Sequence, residues 1–197
     1  MTDAACGLGR PRDRILDTAR NLFRRCGIRG AGVDAIAENA GTNKMTLYRH
    51  FRSKDELIVA CLNEAATEAD KSWVELEAAH PADPKAQLDA WVDAVDGCIR
   101  EGQACEIANA AVELPEASEL LRTTIVGFKN HQRQRLGQLC ADAGIHRAEA
   151  LADMLCLLIE GARVSRQTLG QEGPSHSFST CARSAIAAFS VESGASK

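Results

Sequence analysis

Proline limits this chain more than any other residue type. Its five prolines stand at positions 11, 81, 84, 115 and 174. Proline lacks a backbone N–H and clashes with the preceding helical turn, so helix interiors exclude it. The proline-free tracts are therefore the places where helices can run. They are rich in Ala and Leu and lack the alternation of a half-buried strand, which predicts an all-α chain of about nine helices. The expected spans are 11–26, 33–40, 43–51, 53–79, 84–101, 105–113, 116–143, 147–169 and 178–191. Residues 1–9 and the last five are expected to fray.

Local signals set several of these limits. Ile15, Leu16, Ala19, Leu22, Phe23 and Cys26 recur at helical spacing, and Gly27 follows as a stop. Asn43 is a good N-cap for the third helix. Ser53-Lys54-Asp55-Glu56 has the form of a capping box at the start of the fourth. Asp83 followed by Pro84 reads as a cap with proline at the first helical position.

A chain of 197 residues can bury roughly 70% of its unfolded surface, so it needs no disulfide or metal staple. No uncharged apolar run approaches the ~18 residues of a membrane span, and no apolar signal core follows the N-terminus. A cytoplasmic protein with no membrane partner is expected. The eight cysteines are irregularly spaced and read as reduced core thiols; with the five histidines they form no ligand spacing, so no metal or cofactor is expected. The net charge of -4 hides an asymmetry: residues 1–60 carry a net +4 and residues 61–197 a net -8. A basic head on an acidic body fits a polyanion-binding unit joined to a second unit with another task.

Within the head, residues 33–51 read Val-Asp-Ala-Ile-Ala-Glu-Asn-Ala-Gly-Thr-Asn-Lys-Met-Thr-Leu-Tyr-Arg-His-Phe. Two short helices joined through Gly41 have helix-turn-helix spacing. Small Ala37 permits a close crossing, Gly41 supplies the turn dihedral, and Ile36, Ala40 and Leu47 fill the wedge. With Leu47 and Phe51 turned inward, Lys44, Met45, Arg49 and His50 form an outward face suited to a major groove.

These residues resemble the DNA-binding domain of the TetR family of bacterial transcriptional regulators. The resemblance is carried by Gly27, Ile36-Ala37, Ala40-Gly41, Thr46-Leu47-Tyr48, Phe51 and Lys54-Asp55-Glu56-Leu57. It implies base-edge contacts from Lys44, Met45 and Arg49, and phosphate contacts from Thr46, Tyr48, His50 and Lys54. Gly32 stands where the family commonly has Thr or Ser, and Asn43 where Ser is frequent. The expected division is a helix-turn-helix domain at 1–53 and a helical effector-binding and dimerisation domain at 54–197.

In the body, residues 150–162 are apolar almost all round, which calls for burial by a partner as well as by the chain itself. A homodimer through the helices near 147–169 and 178–191 is expected, as the resemblance also implies. Residues 102–113 are similar to a TetR subgroup with Cys, then Asn-Ala-Ala, then Glu. Cys105, Asn109 and Glu113 recur every four residues and would share one helix face. With Trp73, Trp91, Phe128 and His131 they are the candidate lining of a small-molecule effector cavity. The expected function is a non-enzymatic repressor released from a pseudo-palindromic operator by that effector. The alternatives are a thiol-based redox sensor acting through Cys105, and an all-α enzyme using Cys105 with Glu113 or His131.

Overall fold

The computed structural model describes residues 10–103 and 105–190, and the termini expected to fray lie outside them. Among the described residues nine α-helices follow in order: α1 (Pro11–Gly30), α2 (Val33–Asn39), α3 (Lys44–His50), α4 (Lys54–Ala79), α5 (Pro84–Arg100), α6 (Glu106–Glu113), α7 (Glu119–Asp142), α8 (Ala148–Leu169) and α9 (Phe178–Ser190). Among the described residues there is no strand. Two short 3-10 turns, Gly170–Glu172 and Pro174–Ser177, join α8 to α9. No described helix is long and apolar enough to cross a membrane.

The capping residues act as their chemistry dictates. Asn43 accepts from the Thr46 amide at 2.8 Å, and Asp83 accepts from the Ala86 amide at 3.0 Å. Ser53 accepts from the Glu56 amide at 3.0 Å, but Glu56 reaches back one residue further than a standard capping box and accepts from the Arg52 amide at 2.7 Å. Gly27 breaks α1 as expected: its φ of 75° and ψ of 164° are non-helical. The helix then resumes for one more turn, through Gly30.

The chain divides into two compact units, Met1–Glu68 with Cys105–Gly127, and Ala69–Ala104 with Phe128–Lys197. The sequence alone predicts a single cut after residue 53. The first unit takes in α6 because α6 packs against α1. Its core is Ile15, Leu16 and Ala19 of α1 set against Ile36, Ala37, Ala40, Leu47, Phe51 and Leu57. The second unit is built on α5, α8 and α9, with Leu88, Val92 and Ile99 meeting Leu151, Leu155, Phe178 and Ala182.

Two polar ties bind α6 to α1. Arg20, only 8% exposed, forks onto both carboxylate oxygens of Glu68 at 2.6 Å and also donates to Glu106 at 3.1 and 3.3 Å. The hydrogen bond to Glu68 leads in holding this guanidinium charged, against the opposing effect of its burial. Farther along α1, Glu113 accepts from the Ile28 amide at 2.6 Å and from the Arg29 amide at 3.3 Å. These amides open the helical turn after Gly27, where no preceding turn supplies acceptors and a carboxylate is favoured. The Ile28 carbonyl accepts from Lys54 Nζ at 2.6 Å, and burial draws that ammonium below the usual lysine range.

Two substitutions test this framework. Leu47→Ala empties a fully buried site and should cost about 3 kcal/mol, while the exposed Met45→Ala should stay within about 0.5 kcal/mol; urea midpoints separate them. Glu113→Ala leaves the Ile28 amide without its carboxylate and should cost about 1–3 kcal/mol. A Glu113→Ala midpoint equal to the wild type would show that the tie contributes nothing to stability.

Candidate nucleic-acid interface

The wedge of α2 and α3 is built from the inside out. Ile36 and Leu47 are fully buried, Ala37 is 2% exposed, and Phe51 closes the C-terminus of α3 against the core. Gly41 turns the chain with a φ of 63°, a value that favours glycine. Locking Leu47 and Phe51 inward fixes the rotation of α3, because residues three and four apart share a helix face.

The opposite face is left to solvent. Met45 is 84% exposed and Tyr48 40%. Lys44 and Arg49 are exposed, and Thr46 and His50 are half-buried. Lys44 Nζ pairs with Asp34 of α2 at 3.1 Å. The face thus offers a thioether, a phenol, a guanidinium and an ammonium on a rod of about 10 Å. That combination suits base edges at its start and phosphates at its flanks. Lys54, expected on a phosphate, instead has its ammonium on the Ile28 carbonyl.

The residues expected to line an effector cavity fall into two groups. Cys105, Asn109 and Glu113 belong to the first unit, while Trp73, Trp91, Phe128 and His131 belong to the second. Cys105 is the N-cap of α6, its Sγ accepting from the Ala108 amide at 3.4 Å, and Asn109 is half-buried. Glu113 is engaged by the Ile28 and Arg29 amides. In the second unit Trp73 stacks on Trp91 with centroids 6.3 Å apart and donates from Nε1 to Gln132 Oε1 at 2.6 Å. Phe128 is half-buried, and His131 Nε2 lies 3.3 Å from Asp70 Oδ1. A groove of about 840 Å³ runs between α7 and α8, lined by residues that include Arg133, Gly137, Ala141, His146, Ala152 and Asp153. None of the seven expected lining residues borders it.

Two further contacts hold side chains in place, one in each unit. Gln132 carries the indole of Trp73, and Arg12 lies over the Phe51 ring at 5.1 Å. No pattern along the chain signals either contact, because each joins residues about forty to sixty positions apart.

Comparison with known proteins bears on this wedge directly. The family model described as bacterial regulatory proteins of the tetR family matches residues 15–61. The HTH-type transcriptional repressor SCO4008 of Streptomyces coelicolor is 34% identical over 80 residues, 41% of this chain and 38% of that protein. The HTH-type transcriptional activator FasR of Mycolicibacterium smegmatis is 45% identical over 51 residues, 26% of this chain and 23% of that protein. The chain thus spans well under two thirds of the length of these curated relatives. The crystal structure of SCO4454, a TetR-family transcriptional regulator from Streptomyces coelicolor, aligns with a TM-score of 0.82 at 27% identity, over 91% of this chain and 96% of that one. The family model falls on the wedge itself, so residues 15–61 form a DNA-binding domain of the tetR family type, and nine-tenths of the chain shares the fold of a TetR-family transcriptional regulator.

Proposed function

We propose that this protein is a homodimeric transcriptional repressor that inserts α3 of each subunit into the major groove of a pseudo-palindromic operator and is released by a small-molecule effector. The observation that carries the reading is the outward face of α3, with Met45, Tyr48 and Arg49 exposed above a core that locks Leu47 and Phe51 inward. Met45, Arg49 and Lys44 are assigned to base edges, and Thr46, Tyr48 and His50 to phosphates. Repression follows from occupancy, since a protein seated on promoter DNA excludes others from it. The named function of SCO4008 as a repressor supports that sign, and that of FasR as an activator makes a reporter assay the deciding measurement.

The dimer reading is supported by α8. Leu151, Ala152 and Leu155 are buried within the chain, yet Met154, Leu157 and Val164 of the same helix are exposed. A helix apolar on both sides calls for a second partner surface. Another copy of α8 and α9 supplies one with two-fold symmetry, which a pseudo-palindromic operator requires. Release by an effector needs a ligand that prefers a state in which the two heads no longer match their half-sites. Because α6 is tied to α1 through Glu106 and Glu113, a displacement of α6 would be felt by the DNA-reading unit.

Duplexes selected from a random pool provide the test. Arg49→Ala should lose about 1–3 kcal/mol of discrimination between selected and scrambled duplexes, whereas Tyr48→Phe should weaken both alike. Failure of the wild type to shift any duplex at low salt would remove the reading. For assembly, Leu157→Glu should convert the species seen by light scattering to a single chain of 21.1 kDa; a wild type already of that mass would refute the dimer.

A further inference from the structure

The first turn of α1 delivers two guanidinium groups onto the helix-turn-helix. Arg14 Nε donates to the Ala40 carbonyl at 3.3 Å, at the turn that follows α2. Arg12 lies 5.1 Å from the centroid of the Phe51 ring, which is 1% exposed and caps the C-terminus of α3. Three other cations of the same unit are paired: Arg20 and Arg24 with Glu106, and Lys44 with Asp34. Arg12 is exposed, and among the described residues no carboxylate pairs with it. Arg10 is exposed two positions before it, and Arg49 and Arg52 are exposed on either side of Phe51 in the chain.

We infer that Arg12 is a phosphate-binding residue of the DNA interface, gripping the backbone that flanks the groove entered by α3. The inference rests on the DNA-binding reading proposed above. A seven-residue helix is about 10 Å long and the major groove is about 12 Å wide. When the first turn of α3 meets base edges, its C-terminal cap therefore reaches the wall of the groove, where the phosphates are. An exposed arginine ordinarily samples many rotamers, but stacking on a fixed ring holds this one in place before DNA arrives. Its flat fork matches two phosphate oxygens, and the contact carries no base information.

The test uses the full chain, a duplex selected from a random pool and an unselected mixed-sequence duplex, titrated between about 50 and about 200 mM salt. Arg12→Ala removes charge and ring cover together; Arg12→Met removes the charge but keeps an apolar cover on Phe51. Both variants should bind both duplexes about tenfold more weakly, and the slope of log K against log salt should fall by about 1. The thermal midpoint of Arg12→Met should match the wild type. Wild-type affinity and slope in Arg12→Met would overturn the inference and leave Arg12 as a cover for Phe51. Loss of discrimination with unchanged affinity for the mixed duplex would also overturn it, by making Arg12 a base reader. A wild type that binds neither duplex overturns the function proposed above and this inference with it, whereas failure confined to the variants leaves that function standing.

Discussion

Both backbone polar groups of Ile28 are held by charges from elsewhere in the chain: its N–H donates to Glu113 and its carbonyl accepts from Lys54. This follows from Gly27. A glycine at φ 75° ends the first stretch of α1 and starts a second, which exposes a fresh set of amides with no acceptors behind them. Glu113 supplies the missing acceptor and brings the end of α6 with it, while Lys54 brings the start of α4. Substituting Gly27 would do more than strain the backbone, since a Cβ there would lie 2.8 Å from Glu113 Oε2. The helix break, the carboxylate and the ammonium form one interlocked corner, and α6 becomes a structural part of the first unit.

The Arg20 cluster does similar work at the other end of α6. A guanidinium this buried gains little stability over a well-packed apolar group, because desolvation opposes the attraction of its partners. What it adds is register: a fork engaging both oxygens of Glu68 together with Glu106 is satisfied by one placement of α6 on α1 and few others. Nearby Cys61, 1% exposed, has its thiol pushed up to about 12 by burial, and the charges of this cluster modify that shift only secondarily. Such a thiol stays protonated and unreactive at neutral pH and behaves as a small core side chain.

What could be read from the sequence was what depends on near neighbours. Asn43, Ser53 and Asp83 each bond an amide three residues on, so residue type and position suffice to foresee them. Leu47 and Phe51 lie four apart, and their burial fixed which side of α3 faces out. The spacing of Cys105, Asn109 and Glu113 shows that they share a face of α6, but periodicity is silent about what that face meets. For Glu113 the answer is backbone of α1, 85 positions away in the chain. The membership of α6 in the first unit was illegible for the same reason: it depends on long-range pairs whose partners, Arg20 and the Ile28 amide, look unexceptional in sequence. The two 3-10 turns before α9 were also missed, since Gly170, Gly173 and Pro174 mark a break without specifying its form.

The ties between α1 and α6 also set a scale for regulation on the reading proposed here. Moving a two-state protein from nearly all competent to nearly all incompetent takes a differential affinity of about 10⁴, or about 5.5 kcal/mol. A hydrogen bond to a charged group contributes about 1.5–3 kcal/mol. Each head has one such carboxylate contact at the Ile28 amide and a second, shared one at Glu106. Two heads in a symmetric dimer double that number, so breaking or re-forming these few bonds spans the range a switch requires. The same count argues against a mechanism in which α6 unfolds, because the burial of Ile107 and Ala110, at 2% and 0% exposure, would have to be given up as well. A small rigid shift of α6 that lengthens the Glu113 contact while keeping Ile107 buried is the less costly route between the two states.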